Sequence, residues 1–185
     1  EIVRRAKMEA LREKGIEPFA SGFKPSAHSS DIVAEYDEKT KEELAEINAP
    51  TSIAGRVMTK RVMVKAGFVH VQDRDGQIQV YIRKDTVGDE QFEYFQDLDL
   101  GDIIGVEGIV FRTNHGELSV KATNLVHLTK ALRPLPDKYH GLQDIEERYR
   151  RRYVDLIMNE QSRKTAFMRP KIMKAVRNFF DDRGL

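Results

Sequence analysis

Phe68-Val-His-Val-Gln-Asp-Arg-Asp-Gly-Gln-Ile-Gln-Val-Tyr-Ile-Arg83 is the stretch that decides the fold. Apolar and polar residues alternate on both sides of Asp75-Gly76, the pattern of a hairpin with one buried face. Asp-Gly favours a two-residue loop, because both central positions of such a turn need positive φ. With that loop, Arg74 is expected opposite Gln77, Gln72 opposite Gln79, His70 opposite Tyr81 and Phe68 opposite Arg83. Val69, Val71, Ile78, Val80 and Ile82 then share the inner face, which leaves Phe68, His70, Gln72, Gln77, Gln79, Tyr81 and Arg83 outside.

The hairpin is one part of a run of five strands: Thr51–Lys65, Phe68–Arg74, Gln77–Lys84, Asp102–Thr113 and Glu117–Leu128. A helical interval near Asp89–Leu98 separates the third from the fourth, and an Asn114-His115-Gly116 turn joins the last two. Five strands in this order with a helix after the third describe an OB-fold. In the fourth and fifth strands Ile104, Val106 and Val110 face Leu118, Val120 and Ala122 in the core, so Glu117, Ser119 and Lys121 are expected to point out. The apolar register of the first strand changes near Thr59–Arg61, which suggests a bulge.

The flanks read as helices. Glu1–Lys14 has helical periodicity with Gly15 as its stop, one short helix follows Ser30, and Thr40 with Glu43 forms a capping box ahead of Leu44 and Ile47. Beyond the barrel, Pro134 and Pro136 stiffen an extended connector. Ile145, Tyr149, Tyr153 and Leu156 then recur on one helical face, and the stretch from Glu160 is helical again, with Pro170 at its first turn or at a break. The expected architecture is mainly β with flanking helices. It divides into an N-terminal helical extension (1–50), a five-stranded OB-fold barrel (51–130), a hinge (131–144) and a terminal helical part (145–185). The chain opens on Glu1 and stops at Leu185 where a helix hands over to something further, so a fragment of a longer protein is expected.

Composition narrows the function. The 185 residues are 40% hydrophobic and 33% charged, ordinary for a globular protein. The chain contains no cysteine, which removes disulfides, thiolate catalysis and cysteine-ligated zinc. The five histidines show no metal-ligand spacing, so no metal site is expected. With neither a membrane-length apolar run nor a signal-peptide pattern, a cytoplasmic location is expected. Net charge is +1 but unevenly spread: residues 131–185 hold thirteen Lys/Arg against eight Asp/Glu, and residues 1–50 hold eight against eleven. Arg56, Lys60, Arg61 and Lys65 stand in an acid-free stretch over 51–72, a footprint suited to phosphates or simply a solvated edge.

The outward face carries the functional argument. Bases of single-stranded nucleic acid stack on aromatic rings for roughly 1–3 kcal/mol each, and amides or guanidinium groups read their polar edges. Phe68 beside Gln79 supplies both; the alternative is that the N-terminal extension covers Phe68 and that Gln79 is ordinary surface. Glu117 sits at a loop mouth, where an acid near a polyanion is unfavourable unless it accepts a hydrogen bond from a base, or is merely solvated.

Beyond these readings, Leu128-Thr-Lys-Ala-Leu-Arg-Pro-Leu-Pro-Asp-Lys-Tyr-His-Gly-Leu142 and Glu147-Arg-Tyr-Arg-Arg-Arg-Tyr-Val-Asp-Leu156 resemble the hinge of bacterial class II lysyl-tRNA synthetases. Ala54-Gly-Arg-Val-Met-Thr-Lys-Arg61, Phe68-Val-His-Val-Gln-Asp73, Gly76-Gln-Ile-Gln-Val-Tyr81, Leu100-Gly-Asp-Ile-Ile-Gly105 and Gly116-Glu-Leu-Ser119 are similar to the same family. The resemblance extends over essentially the whole chain. It implies an anticodon-binding site in which Phe68 stacks on the central anticodon uridine, Gln79 and Arg61 bond its base or neighbouring groups, and Glu117 helps read an adjacent base. It further implies tRNA(Lys) as partner, and homodimer formation, ATP and Mg2+ for the full-length enzyme.

The same resemblance limits the activity. A motif 2 of the Phe-Arg-x-Glu type and a Gly-rich motif 3 ending in Arg are both missing, and Phe111-Arg-Thr-Asn114 lacks the acid. No cofactor and no adenylate formation are therefore expected of these residues alone. Residues 160–185 look like the opening helix of motif 1, a dimer-interface element that begins the class II α+β catalytic domain. A free-standing OB-fold module for single strands or a protein partner is the competing expectation, which the hinge and the motif 1 helix disfavour.

Overall fold

The computed structural model describes residues 1–137 and 142–185, so the extended connector expected over 131–144 falls partly outside the described residues. Two compact units are present, Glu1–Pro134 and Leu135–Leu185.

In the first unit, strands β1 (Pro50–Val62), β2 (Ala66–Gln72), β3 (Gln77–Arg83), β4 (Ile103–Arg112) and β5 (Leu118–Thr129) close into a barrel in the order β1-β2-β3-β5-β4. Only the β3–β5 pairing is parallel among these five. That geometry follows from the connection after β3, which runs through two helices, Lys84–Val87 and Asp89–Asp97, before the β4–β5 hairpin returns the chain. Val69, Val71, Ile78, Val80 and Ile82 are buried as the alternation requires. Phe92 and Phe95 from helix Asp89–Asp97 complete the same core cluster, each stabilising the fold by about 1.5–3 kcal/mol.

The hairpin register differs from the expected one. Phe68 pairs with Tyr81, His70 with Gln79 and Gln72 with Gln77, so the loop is the four residues 73–76. Asp73 is the cause: its Oδ1 accepts the amides of Asp75 and Gly76 at 2.9 and 3.1 Å, and its own amide donates to the Gly76 carbonyl at 2.9 Å. Such a side-chain-closed turn competes with the two-residue alternative. Because the register moves by two residues, every side chain keeps its face.

The N-terminal helices are α1 (Ile2–Glu13), α2 (Ser29–Tyr36) and α3 (Lys41–Ile47). Gly15, at φ 76°, ends α1, and the Thr40–Glu43 capping box opens α3. Ile32 of α2 and Leu44 of α3 join the barrel core. Asp73 also accepts from the Ser29 amide and hydroxyl at 2.6 and 2.7 Å, tying α2 to the β2–β3 loop.

With Lys84–Val87 as α4 and Asp89–Asp97 as α5, the second unit contributes α6 (Ile145–Arg150), α7 (Arg152–Met158) and α8 (Glu160–Asp181). The single helical face expected from Ile145 to Leu156 is not formed. The helix breaks at Arg151 (φ −114°, ψ 54°), and Ile145, Tyr149 and Tyr153 are exposed. The buried residues are Val154 and Asp155, whose carboxylate accepts from Arg148 Nε at 3.0 Å and Arg152 Nη1 at 2.9 Å. A buried carboxylate must be paired, and that need overrides the apolar spacing. Pro170 neither starts nor breaks α8: Asn159 caps the helix well upstream by accepting from the Gln161 amide at 3.0 Å, and Pro170 lies inside it. No described helix is long and apolar enough to cross a membrane.

Candidate nucleic-acid interface

Strand pairing assembles the outward residues into two adjacent rows. One runs Arg61, Phe68, Tyr81, Lys121; the other runs Thr59, His70, Gln79, Ser119, Phe111. The β1 members reach this face through a bulge. Val57 pairs inward with Val71, yet Thr59 pairs outward with His70, because the register shifts between them. The expected bulge thus lies one step before Thr59–Arg61.

Rings line the first row and, at Phe111, the end of the second. Phe68 and Tyr81 have centroids 4.9 Å apart at 32°, and Tyr81 and Phe111 are 5.8 Å apart at 42°. All three rings are part-exposed. The Arg61 side chain is exposed and makes no hydrogen bond or ion pair among the described residues, so its guanidinium is available to a ligand.

The second row is otherwise polar. Ser119 is fully buried, which corrects the expectation that it is exposed; its hydroxyl donates to Gln79 Oε1 at 3.0 Å. That bond takes one lone pair of the amide oxygen, and the NH2 of Gln79 has no hydrogen-bond partner among the described residues. Glu117 ends the Asn114-His115-Gly116 turn, with Thr113 N donating to Glu117 O at 3.0 Å and Gly116 at φ 86°. Its half-exposed carboxylate lies 3.2 Å from His70 Nε2, and His70 Nδ1 lies 2.6 Å from Thr59 Oγ1.

Of the four residues singled out from sequence, Phe68, Gln79 and Glu117 lie on the outward face of the β2–β3–β5 surface or at its end, and Arg61 pairs with Phe68. Sequence reading left Lys121 and Phe111 out of the site. Phe111 lies on β4 and reaches the Phe68 and Tyr81 rings only because β5 pairs with both β3 and β4.

The basic footprint expected over 51–72 is divided. Arg56 donates to the Gly101 carbonyl at 2.8 Å, and burial pushes its pKa down. Lys60 donates to the Gln96 and Leu98 carbonyls at the C-terminus of α5, and burial lowers its pKa likewise. These two cations fasten the barrel, which leaves Arg61 and Lys65 exposed. Lys130 is also structural: its buried ammonium bonds Asp99 at 2.7 Å and Asp102 at 2.9 Å. A cavity of about 410 Å³ lies beside it, lined by residues of α1, α5 and β5 that include Leu11, Tyr94 and His127, and no residue of the two rows lines it.

A closed five-stranded barrel with stacked rings and polar groups on one face has the architecture of nucleic-acid-binding OB-folds, and residues 51–128 match the tRNA anti-codon family, the OB-fold nucleic acid binding domain. Over nearly its whole length the chain is similar to lysine–tRNA ligases: it is 57% identical to that of Bacillus cereus (strain G9842) over 183 residues, and 58% identical to that of Bacillus subtilis (strain 168) over 182 residues. These alignments cover 99% and 98% of this chain and 37% and 36% of the two relatives. The chain therefore spans little more than a third of their length.

Proposed function

We propose that this chain is the anticodon-binding part of a lysine–tRNA ligase. The observation that carries this reading is the pair of rows on the outward face, where Phe68 and Tyr81 stand beside Gln79 and Glu117. Phe68 stacks on the central anticodon uridine, Gln79 and Arg61 bond that base or its neighbours, and Glu117 accepts from an adjacent base. Aromatic faces give affinity for any base; the amide and the carboxylate supply the discrimination.

Within the whole ligase, lysine is activated with ATP and Mg2+ and transferred to tRNA(Lys) by class II chemistry in the cytoplasm. Residues 1–50 buttress the barrel of 51–130, residues 131–144 act as hinge, and residues 145–185 open the catalytic domain. The exposed Phe167, Ile172, Met173, Val176, Phe179 and Phe180 of α8 support a role for that helix in homodimer contact.

The test is a titration of the 185-residue chain with a stem-loop bearing a UUU anticodon and with one whose central uridine is replaced. Tighter binding of the first supports the reading. Equal affinity for both reduces the face to an electrostatic binder.

A further inference from the structure

We infer that His70, held by Thr59, is a positioning residue that orients the Glu117 carboxylate to accept a base N–H; this rests on the anticodon-binding reading above. The bonding pattern fixes the tautomer. Thr59 Oγ1 accepts the backbone amide of His70 at 3.2 Å, and the same hydroxyl lies 2.6 Å from His70 Nδ1. The Glu117 carboxylate facing Nε2 can only accept, so the ring proton sits on Nε2, and Nδ1 of the neutral ring accepts from the Thr59 hydroxyl. Nε2–H then donates to Glu117 Oε1 at 3.2 Å. With the opposite tautomer, a nitrogen lone pair would face the carboxylate.

Two consequences follow for the ligand. One carboxylate oxygen is occupied and the other is left to accept, so a carboxylate set opposite ring position 3 favours a base with its N–H there. Uridine offers N3–H, whereas cytidine presents an acceptor at N3 and carries its Watson–Crick donor at N4 instead. The imidazole N–H also spreads the carboxylate's charge, which lessens repulsion by the phosphates. The histidine and glutamate side chains are 33% and 50% exposed, so a base reaches the pair without rearranging the barrel. Glu117 comes from the β4–β5 turn and His70 from the middle of β2, so the bond ties the end of the turn to a strand of the barrel.

The experiment measures binding of the chain and its His70→Ala, Thr59→Val and Glu117→Gln variants to UUU stem-loops in which each anticodon uridine is changed to cytidine singly. The expected result is that the unmodified chain discriminates at the central uridine and at one neighbour. His70→Ala should lose discrimination at the neighbour by about tenfold, the scale of one hydrogen bond to a charged group, and keep it at the centre. The loss should vanish in the Glu117→Gln background. Unaltered discrimination in His70→Ala, or a uniform loss on every loop that persists with Glu117→Gln, overturns the inference while leaving the anticodon reading intact. Absence of any discrimination by the unmodified chain overturns both. If His70→Ala unfolds, Thr59→Val decides: it keeps the ring and removes the hydroxyl that holds Nδ1, so a several-fold loss confined to the neighbouring base supports the relay, and no such loss overturns it.

Discussion

The rings of Phe68 and Tyr81 lie 4.9 Å apart and tilted by 32°, a pairing made directly across the β2–β3 ladder. Phe68 is thereby supported on one side and part-exposed, as a stacking platform must be. Phe68→Ala should weaken binding of a UUU stem-loop by roughly 1–3 kcal/mol. Isothermal titration checks the affinity and a melting curve checks the fold. A large drop in melting temperature with unchanged affinity would assign the ring to the core.

Lys130 and Asp102 form a second decisive pair, with both side chains only 2% exposed and Nζ 2.9 Å from Oδ1. Asp99 joins them; burial alone would raise its pKa, but hydrogen bonds from Lys130 and Lys7 hold it below the ordinary carboxylate range. Lys130→Met strands a buried carboxylate and should cost about 3–5 kcal/mol in urea unfolding. A cost below about 1 kcal/mol, the scale of a surface pair, would contradict this assignment.

His127 makes stability depend on pH. Its Nε2 donates to the Pro18 carbonyl at 3.0 Å and its Nδ1 accepts from the Tyr94 hydroxyl at 2.6 Å, which is the neutral ring. Burial lowers its pKa, against smaller raising effects of the Pro18 carbonyl and Asp102, and Lys130 adds a still smaller lowering. The unfolded chain takes up the proton near the ordinary value of about 6.5, and the folded chain only at lower pH. More protons are then bound by the unfolded state, so stability falls as pH drops below about 6.5 and the loss levels off beneath the folded-state value. Unfolding free energies at several pH values should show this slope, and His127→Gln should flatten it.

Gly67 tests the packing of α5 on the barrel. A Cβ there would stand 2.5 Å from Phe95 Cε1 and 2.6 Å from the Arg61 carbonyl. Gly67→Ala should destabilise by about 1–3 kcal/mol through overpacking. Thermal unfolding of Gly67→Ala beside a Gly67→Ala/Phe95→Leu double variant measures it, and relief in the double variant identifies Phe95 as the obstacle.

Catalysis supplies the last expectation. With neither the Phe-Arg-x-Glu nor the Gly-rich arginine motif among the 185 residues, lysine-dependent pyrophosphate exchange by this chain should stay at background. Exchange above that level would show that other residues hold ATP.

The alternation around Phe68–Arg83 determined which residues face out, because a pleated strand has only two faces and a register slip of two residues changes neither. The Thr40–Glu43 box and the turn at Gly116 were legible for a similar reason, since each is closed by groups a few residues apart. Tertiary structure decided what depends on partners distant in the chain. Asp73 reset the hairpin loop while serving Ser29, Ser119 was covered by the surrounding strands, and Arg56 and Lys60 were drawn onto carbonyls around α5. Asp155 captured two arginines and broke the helical face expected over 145–156. In each case a buried or half-buried polar group had to find its hydrogen-bonding partner, and the position of that partner is set by packing, not by local sequence.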